Sequence, residues 1–526
     1  MQKLPAHPSR QLALLILGWS LFFGAFVRLL PALQSPFPLN DGGLFYTMAQ
    51  DILGAGFKLP LYTSYNHASI PFVYPPLGLY LLAFLSRYFP ALQLIRWLPV
   101  IYGSLAVLAF YFLARTIFKD PLKAAFASLA FAMIPSAAGI LIQGGGVTRA
   151  LGYLFSLLAL NQALLLFQTA RRKYILTTAL FAALVLLSHP SAAFMTALFA
   201  GFFALIYGRS RAGLLSAVGV ALLVLALTAP WWLLVYQRHG WQPFLSGFGS
   251  GWYTALFIAP YLRLNTTAEA FSTVVMVIAI LGGLYSLYRR QYFLPLWFFV
   301  SLLSQRDGYV YASIPVSLLF AVALVDLILP AFSRRDPGMP ADAGFDPFAS
   351  PGARLLVAFL LIYNLLNATV AAQKVSPIRV TAPEQAAMQW VRANTPADSK
   401  LLLLTFGDSL NLPFLEWFPS LTGRVSLTTI QGYEWLPGSS FYTRKDAFQE
   451  LQPCLTEDLA CVENWVAAQG LSYDYMLVDH GYAGDQQLDP TKPPLNEWIA
   501  SQLLASPQFR QVYASPIIQI FQPLTN

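Results

Sequence analysis

Charge is scarce in this chain. Only 11% of its 526 residues are Asp, Glu, Lys or Arg, whereas soluble domains carry about a quarter. With 57% hydrophobic residues and a mean hydropathy of +0.56, that scarcity excludes water as the main solvent. Cysteine is scarcer still. The two present, Cys454 and Cys461, lie close together in the polar C-terminal part, which excludes a zinc-finger spacing or a disulfide framework. An oxidising exterior would let the two bond, and two free thiols are equally compatible with the sequence. A basic face is also missing: the net charge is +8, but Lys and Arg fall in short clusters between apolar runs. That distribution is a topology signal rather than a nucleic-acid footprint, and no nucleic-acid partner is expected. Ionisable residues are almost absent from the interiors of the apolar runs, Asp326 being the main exception, and no inverted repeat is evident. Both absences argue against a secondary transporter.

What is present is a succession of apolar runs. The first, 11–33, follows Lys3 and Arg10; it is too long for a signal segment and lacks a small-residue cleavage site, so it reads as a first spanning helix with the N-terminus inside. Five basic clusters follow: Lys119 with Lys123, Arg171 with Arg172 and Lys173, Arg209 with Arg211, Arg289 with Arg290, and Arg334 with Arg335. The positive-inside rule makes them cytoplasmic. Working outward gives spans near 94–117, 124–142, 151–169, 174–188, 191–207, 213–235, 271–288, 291–304, 312–331 and 354–371. With the first helix this makes roughly eleven, some shorter than the usual ~20 residues.

Parity then decides the run 75–89. Were it to cross, every later basic cluster would invert, so it is expected on the outer surface as an interfacial helix. Residues 34–93 become one large external loop, a size that usually carries function. An odd number of spans leaves the C-terminus outside. The expected division is a membrane domain, 1–375, and an extracytoplasmic α/β domain, 376–526. In the latter, Thr381, Pro383 and Glu384 open a helix in a capping-box pattern, 400–405 and 475–478 read as buried strands, and 496–504 reads as a helix.

The order of features in the first loop resembles a known family. An inside N-terminal helix leads to Leu39, Asn40, Asp41, Gly42 and Gly43; an amphipathic segment, 44–53, follows, and then Val73, Tyr74, Pro75, Pro76, Leu77, Gly78, Leu79 and Tyr80. That order, with the outer C-terminal domain, is similar to the GT-C glycosyltransferases, polytopic enzymes that use polyprenyl-linked sugar donors. Protein mannosyltransferases, aminoarabinose transferases and the catalytic subunit of oligosaccharyltransferase are the members it resembles. The resemblance implies an integral plasma-membrane enzyme with a polyprenyl-phosphate sugar as donor, working among membrane lipid on a glycan, lipid or protein acceptor. A non-catalytic scaffold that presents the external domain would share the topology without needing Asp41.

Such a transfer needs a base for the acceptor and positive charge for the leaving phosphate. Asp41 matches the family's loop aspartate and is the expected catalytic carboxylate; the alternative is a cap for the helix that follows. Many relatives place a second acid one or two positions after the first, where this chain has Gly42 and Gly43. No metal site or cofactor is therefore expected, although a divalent cation stays open. Asp51, further along the same helix, reads as a surface charge.

Gln143, Gly144, Gly145, Gly146, Val147, Thr148 and Arg149 precede a spanning helix. A glycine-rich turn at a helix start with an arginine suits phosphate, and it equally suits a flexible turn with Arg149 at the headgroups. Arg306 resembles a late phosphate-contacting position in some relatives, with headgroup snorkelling as the alternative. His189, between Ser188 and Pro190 at the outer side, is either a site residue or a turn residue hydrogen-bonded to a neighbouring carbonyl. His67 and Tyr74 could line the same cavity. Aromatics in 236–265, including Trp241, Trp252 and Tyr253, suit an interface belt. In the C-terminal part, Glu416, Trp417, Arg424 and the run Tyr433, Glu434, Trp435 specify no ligand; they could be core or contact with the membrane part.

Overall fold

The computed structural model describes residues 8–249, 271–303, 308–332, 350–438, 440–480 and 496–524. The membrane half holds α1 (Pro8–Gln34), α2 (Gly43–Gly54), α3 (Leu77–Leu85), α4 (Ala91–Phe118), α5 (Pro121–Met133), α6 (Gly146–Thr169), α7 (Lys173–Leu186), α8 (Pro190–Tyr207), α9 (Arg211–His239) and α10 (Gln242–Gly249). It continues with α11 (Thr273–Tyr288), α12 (Phe293–Ser301), α13 (Gly308–Val322) and α14 (Pro351–Val375). A π-helical stretch, Ala323–Ile328, extends α13.

Seven described helices are long and apolar enough to cross a bilayer, or eight if a bent pair counts as one span. The chain is an integral membrane protein. Each of the expected spans falls on a helix, but α7, α11 and α12 have 14, 16 and 9 residues, too short to cross alone. The run 124–142 is not a continuous span: α5 ends at Met133, and the chain turns by 83° into two 3₁₀ turns ending at Ile142. Pro135 is the local cause, because it disfavours a helical residue before it and Ile134 is extended. Elsewhere capping sets the boundaries. Asp120 caps α5 ahead of Pro121, Ser210 caps α9, and Ser350 caps α14 ahead of Pro351.

The bend leaves carbonyls without helical partners, and a charged residue fills the gap. Arg28, in α1 and fully buried, donates to the carbonyls of Gly24, Ala132 and Ala137 at 3.0, 2.9 and 3.0 Å. The span interiors are thus not as free of charge as the sequence suggested. Three carbonyl acceptors give this guanidinium a structural task, holding the broken helix against α1.

After Val375 the chain forms a sheet with helices on both faces. The elements are α15 (Ala382–Asn394), β1 (Lys400–Leu404), α16 (Pro413–Thr422), β2 (Val425–Ser426), α17 (Ser440–Cys454), α18 (Leu459–Ala468), β3 (Tyr475–Asp479), α19 (Glu497–Ala505), β4 (Phe509–Ala514) and β5 (Ile518–Pro523). Strand order is β2-β1-β3-β5-β4. β1 pairs in parallel with β2 and β3, while β5 is antiparallel to both β3 and β4; Leu402 lies opposite Met476 and Leu477 opposite Ile520. The four leucines of β1 are fully buried because both faces are covered. Leu402 and Leu404 join a core with Leu451, Val462 and Val478. Leu401 and Leu403 point the other way, into one continuous apolar cluster that also contains Trp417 and the membrane helices. Both halves therefore share a core. The α15 capping box forms as expected between Thr381 and Glu384, and Cys454 is bonded to Cys461.

Candidate functional site

The first large loop reaches its site through main-chain pairing. Leu39 and Asn40 run beside the segment after α14, with Asn40 N donating to Ile378 O at 2.7 Å. On their other side Gly144 N donates to Leu39 O at 2.8 Å, and the Asn40 amide donates to Gln143 Oε1 at 3.0 Å. Asp41 is thereby carried to the glycine turn before α6. Its Oδ1 accepts from Gly145 N at 2.7 Å, and its Oδ2 accepts from Arg149 Nη2 at 2.8 Å. A second guanidinium nitrogen, Nη1, donates to Ile140 O at 2.8 Å, so the turn after the bent helix also orients Arg149. The side chains of the pair keep 18% and 19% exposure.

Glycine is required here for space. A Cβ on Gly144 would run into the Asp41 carbonyl and one on Gly145 into the Asp41 carboxylate. Gly42, at φ 120°, adopts a backbone shape that other residues rarely take. Asp41 does not cap α2. The cap residue is Gly42, and no side chain of the loop bonds the first turn.

That role belongs to Glu416 of α16, whose Oε1 accepts from Gly42 N at 2.8 Å and from Leu44 N at 3.4 Å. Its neighbour Trp417 donates Nε1 to Asn40 O at 2.9 Å, and Ser420 donates to Gly43 O at 2.6 Å. Glu416 is only 6% exposed. Burial first, and then the charge of Asp41, push its carboxyl up to about 8, while the two amide donors pull the other way and lose. Amide bonds to an ionised group are worth ~1.5–3 kcal/mol each; stripping water from a carboxylate costs several kcal/mol.

Tyr74 stands beside the same turn, its hydroxyl 3.1 Å from Thr148 Oγ1. Its ring lies 4.7 Å from Phe45, 5.7 Å from Trp435 and 6.4 Å from His189. His189 caps α8, its Nδ1 accepting from Ala192 N at 3.4 Å; it serves the turn, but its partner is a backbone N–H and not the neighbouring carbonyl expected. Asp41, Arg149, Tyr74 and His189 thus gather around the start of α6. His67 does not join them: it is exposed on a 3₁₀ turn, with its backbone at φ 50°. Arg306, Trp252 and Tyr253 lie outside the described residues. Asp51, rather than a free surface charge, ties down the turn before Tyr65 by accepting from Thr63 and Ser64.

The donor set around Asp41 does not suit a divalent cation. One carboxylate oxygen faces a guanidinium and the other an amide, and the next two residues are glycines. Among the described residues no group of three or more His, Cys, Asp or Glu side chains could hold a metal ion. Arg28 was missed by sequence reasoning, while Glu416, expected as core or as contact with the membrane part, makes that contact but had been given no role at the site. Each had a signal: a lone acid among Phe414, Leu415, Trp417 and Phe418, and a lone cation late in the first apolar run.

The architecture is GT-C-like, a membrane helical bundle with a large first loop and a C-terminal sheet unit. Three solved glycosyltransferase structures carry the likeness. The oligosaccharyltransferase of Archaeoglobus fulgidus, in complex with zinc and sulfate, is 17% identical with a TM-score of 0.58, over 95% of this chain and 79% of that one. ArnT from Cupriavidus metallidurans, bound to undecaprenyl phosphate, is 13% identical with a TM-score of 0.58, over 96% and 98%. The mycobacterial arabinofuranosyltransferase AftD is 16% identical with a TM-score of 0.59, over 99% of this chain but 40% of that one. No protein-family profile and no curated protein sequence matches the chain.

Proposed function

We propose that this protein is a membrane glycosyltransferase that moves a sugar from a polyprenyl-phosphate donor to an extracytoplasmic acceptor. The observation that carries this is the meeting of Asp41 with Arg149 and the glycine turn, in a fold shared with lipid-linked-sugar transferases. In the reaction the acceptor atom bonds to the anomeric carbon as the bond from that carbon to the phosphate oxygen breaks. The acceptor proton passes to Asp41, and polyprenyl phosphate leaves with the bonding electrons. Arg149 serves the departing phosphate. It is paired with Asp41 before substrate arrives, so a phosphate that draws it away also frees the carboxylate to act as base.

In this reading the N-terminus is cytoplasmic, residues 1–375 form the catalytic membrane domain, and 376–526 form an extracytoplasmic domain. The Cys454–Cys461 bond suits an oxidising compartment. The Lys123–Asp326 pair lies at the far end of α5 from the Arg149 turn, as cytoplasmic Lys123 requires. No step runs through a metal ion. The test is transfer in proteoliposomes supplied with a panel of undecaprenyl-phosphate sugars, read as release of undecaprenyl phosphate. D41N is expected to expose no activity above background while inserting normally; an active D41N removes the assignment, and chelator should leave the native rate unchanged.

A further inference from the structure

We propose that the C-terminal unit is part of the active site, with Glu416 as a positioning residue that holds the Asp41 loop. The proposal rests on the reading of Asp41 as the base. Helix α16 takes hold of the main chain on both sides of that residue. Trp417 fixes the carbonyl before it, Asn40 O, while Glu416 takes the two amides after it, Gly42 N and Leu44 N. Ser420 takes the carbonyl between them, Gly43 O, and bonds Thr47 one turn on at 2.9 Å. The fit is tight, since a Cβ on Gly43 would lie 2.6 Å from the Glu416 carbonyl oxygen. Glu416 is braced in turn: the Tyr65 hydroxyl donates to its carbonyl at 2.7 Å, and next to Tyr65 the Asn66 side chain pairs with both backbone groups of Ser426 at 3.0 and 2.7 Å.

Helix α2 supplies no cap of its own, so its first amides would be orphaned without the carboxyl from the distant unit. Glycines at 42 and 43 make this segment intrinsically loose. A base must be held near its productive geometry, and here much of that order is imported from residues more than three hundred positions away. Glu416 itself is buried, and its carboxyl bonds the main-chain amides of Gly42 and Leu44, which makes it a holder of Asp41 rather than a proton-transfer group.

Hydrogen exchange of the full-length protein in lipid nanodiscs, without substrate, tests this. In E416A the segment 40–46 should lose protection roughly tenfold or more, while Leu402 and Met476 in the sheet keep theirs. E416Q retains a carbonyl acceptor and should stay near the native value. Unchanged protection in E416A, or E416Q as exposed as E416A with the sheet intact, overturns the proposal. If E416A loses the sheet, W417F decides: it keeps the packing but not the donor to Asn40 O, and a loop in W417F as protected as the native one is then the overturning result. Where transfer is measurable, E416A should lower kcat about tenfold at an unchanged donor KM, with recovery in E416Q. Because exchange is read without substrate, an active D41N would sink the base assignment while leaving the loop result standing.

Discussion

Two ion pairs join side chains among the described residues, and they differ in their surroundings. Arg149 and Asp41 meet at 2.8 Å, Lys123 and Asp326 at 2.5 Å, and both pairs are partly buried. Lys123 lies in the first turn of α5 and Asp326 in the π-helical extension of α13, so their contact joins two helices. Around Asp41, by contrast, the backbone is shaped for the carboxylate: an amide donor from Gly145, a positive φ at Gly42, glycines that leave room, and a second acid buried beside it. Pairing alone therefore marks neither function nor much stability, since partly exposed pairs contribute ~0–1 kcal/mol. The surrounding main chain makes the distinction.

The strongest way to break that comparison is to remove each acid in turn. D41N should cost transfer ~100- to 10,000-fold, the range for a lost acid–base group, measured as undecaprenyl phosphate release. Next comes G145A. Its methyl would occupy the place of the Asp41 carboxylate, so activity should fall about a hundredfold with insertion retained. R149K should lose roughly tenfold, because one ammonium cannot bridge Asp41 and the Ile140 carbonyl as two guanidinium nitrogens do. A pH series sharpens the role of the neighbouring acid. Glu416 goes from an ordinary 4.5 to about 8 in the fold, so the folded state holds an extra proton between these values. Its stabilising effect is complete below 4.5 and is lost as pH rises through about 8. The melting temperature should fall from pH 6 to pH 9, and less steeply in E416Q. Some slope should persist, because burial and then Asp479 raise Glu384 to about 8 as well. The smallest effect is expected of D326N, whose transfer rate should stay within about twofold of native; a larger loss would show that the Lys123–Asp326 pair also serves the reaction.

Composition and periodicity made much of the fold legible. The apolar runs, the Thr381–Glu384 capping box and the leucine run of β1 each specify a local structure that the chain adopts. The run 124–142 misled because hydropathy averages over Pro135, which redirects the chain within a stretch that stays apolar throughout. In the site, Asp41 and Arg149 stood out as polar residues in a glycine context at opposite ends of a long separation, and the fold brings them together. His67 stood out equally, yet its turn presents it to the surface.

Hydrophobic patterning and capping are properties of neighbouring residues, so the sequence by itself determined most of the helices, the strands β1 and β3 and the membrane class. Partners of a carboxylate are set by whichever elements the packing brings near. Only the tertiary structure decided that Asp41 would face Arg149 rather than cap α2, that Glu416 would supply that cap from the far end of the chain, and that Arg28 would close the carbonyls of a bent helix. Each of these bonds joins residues about a hundred or more positions apart, a distance over which no local preference acts.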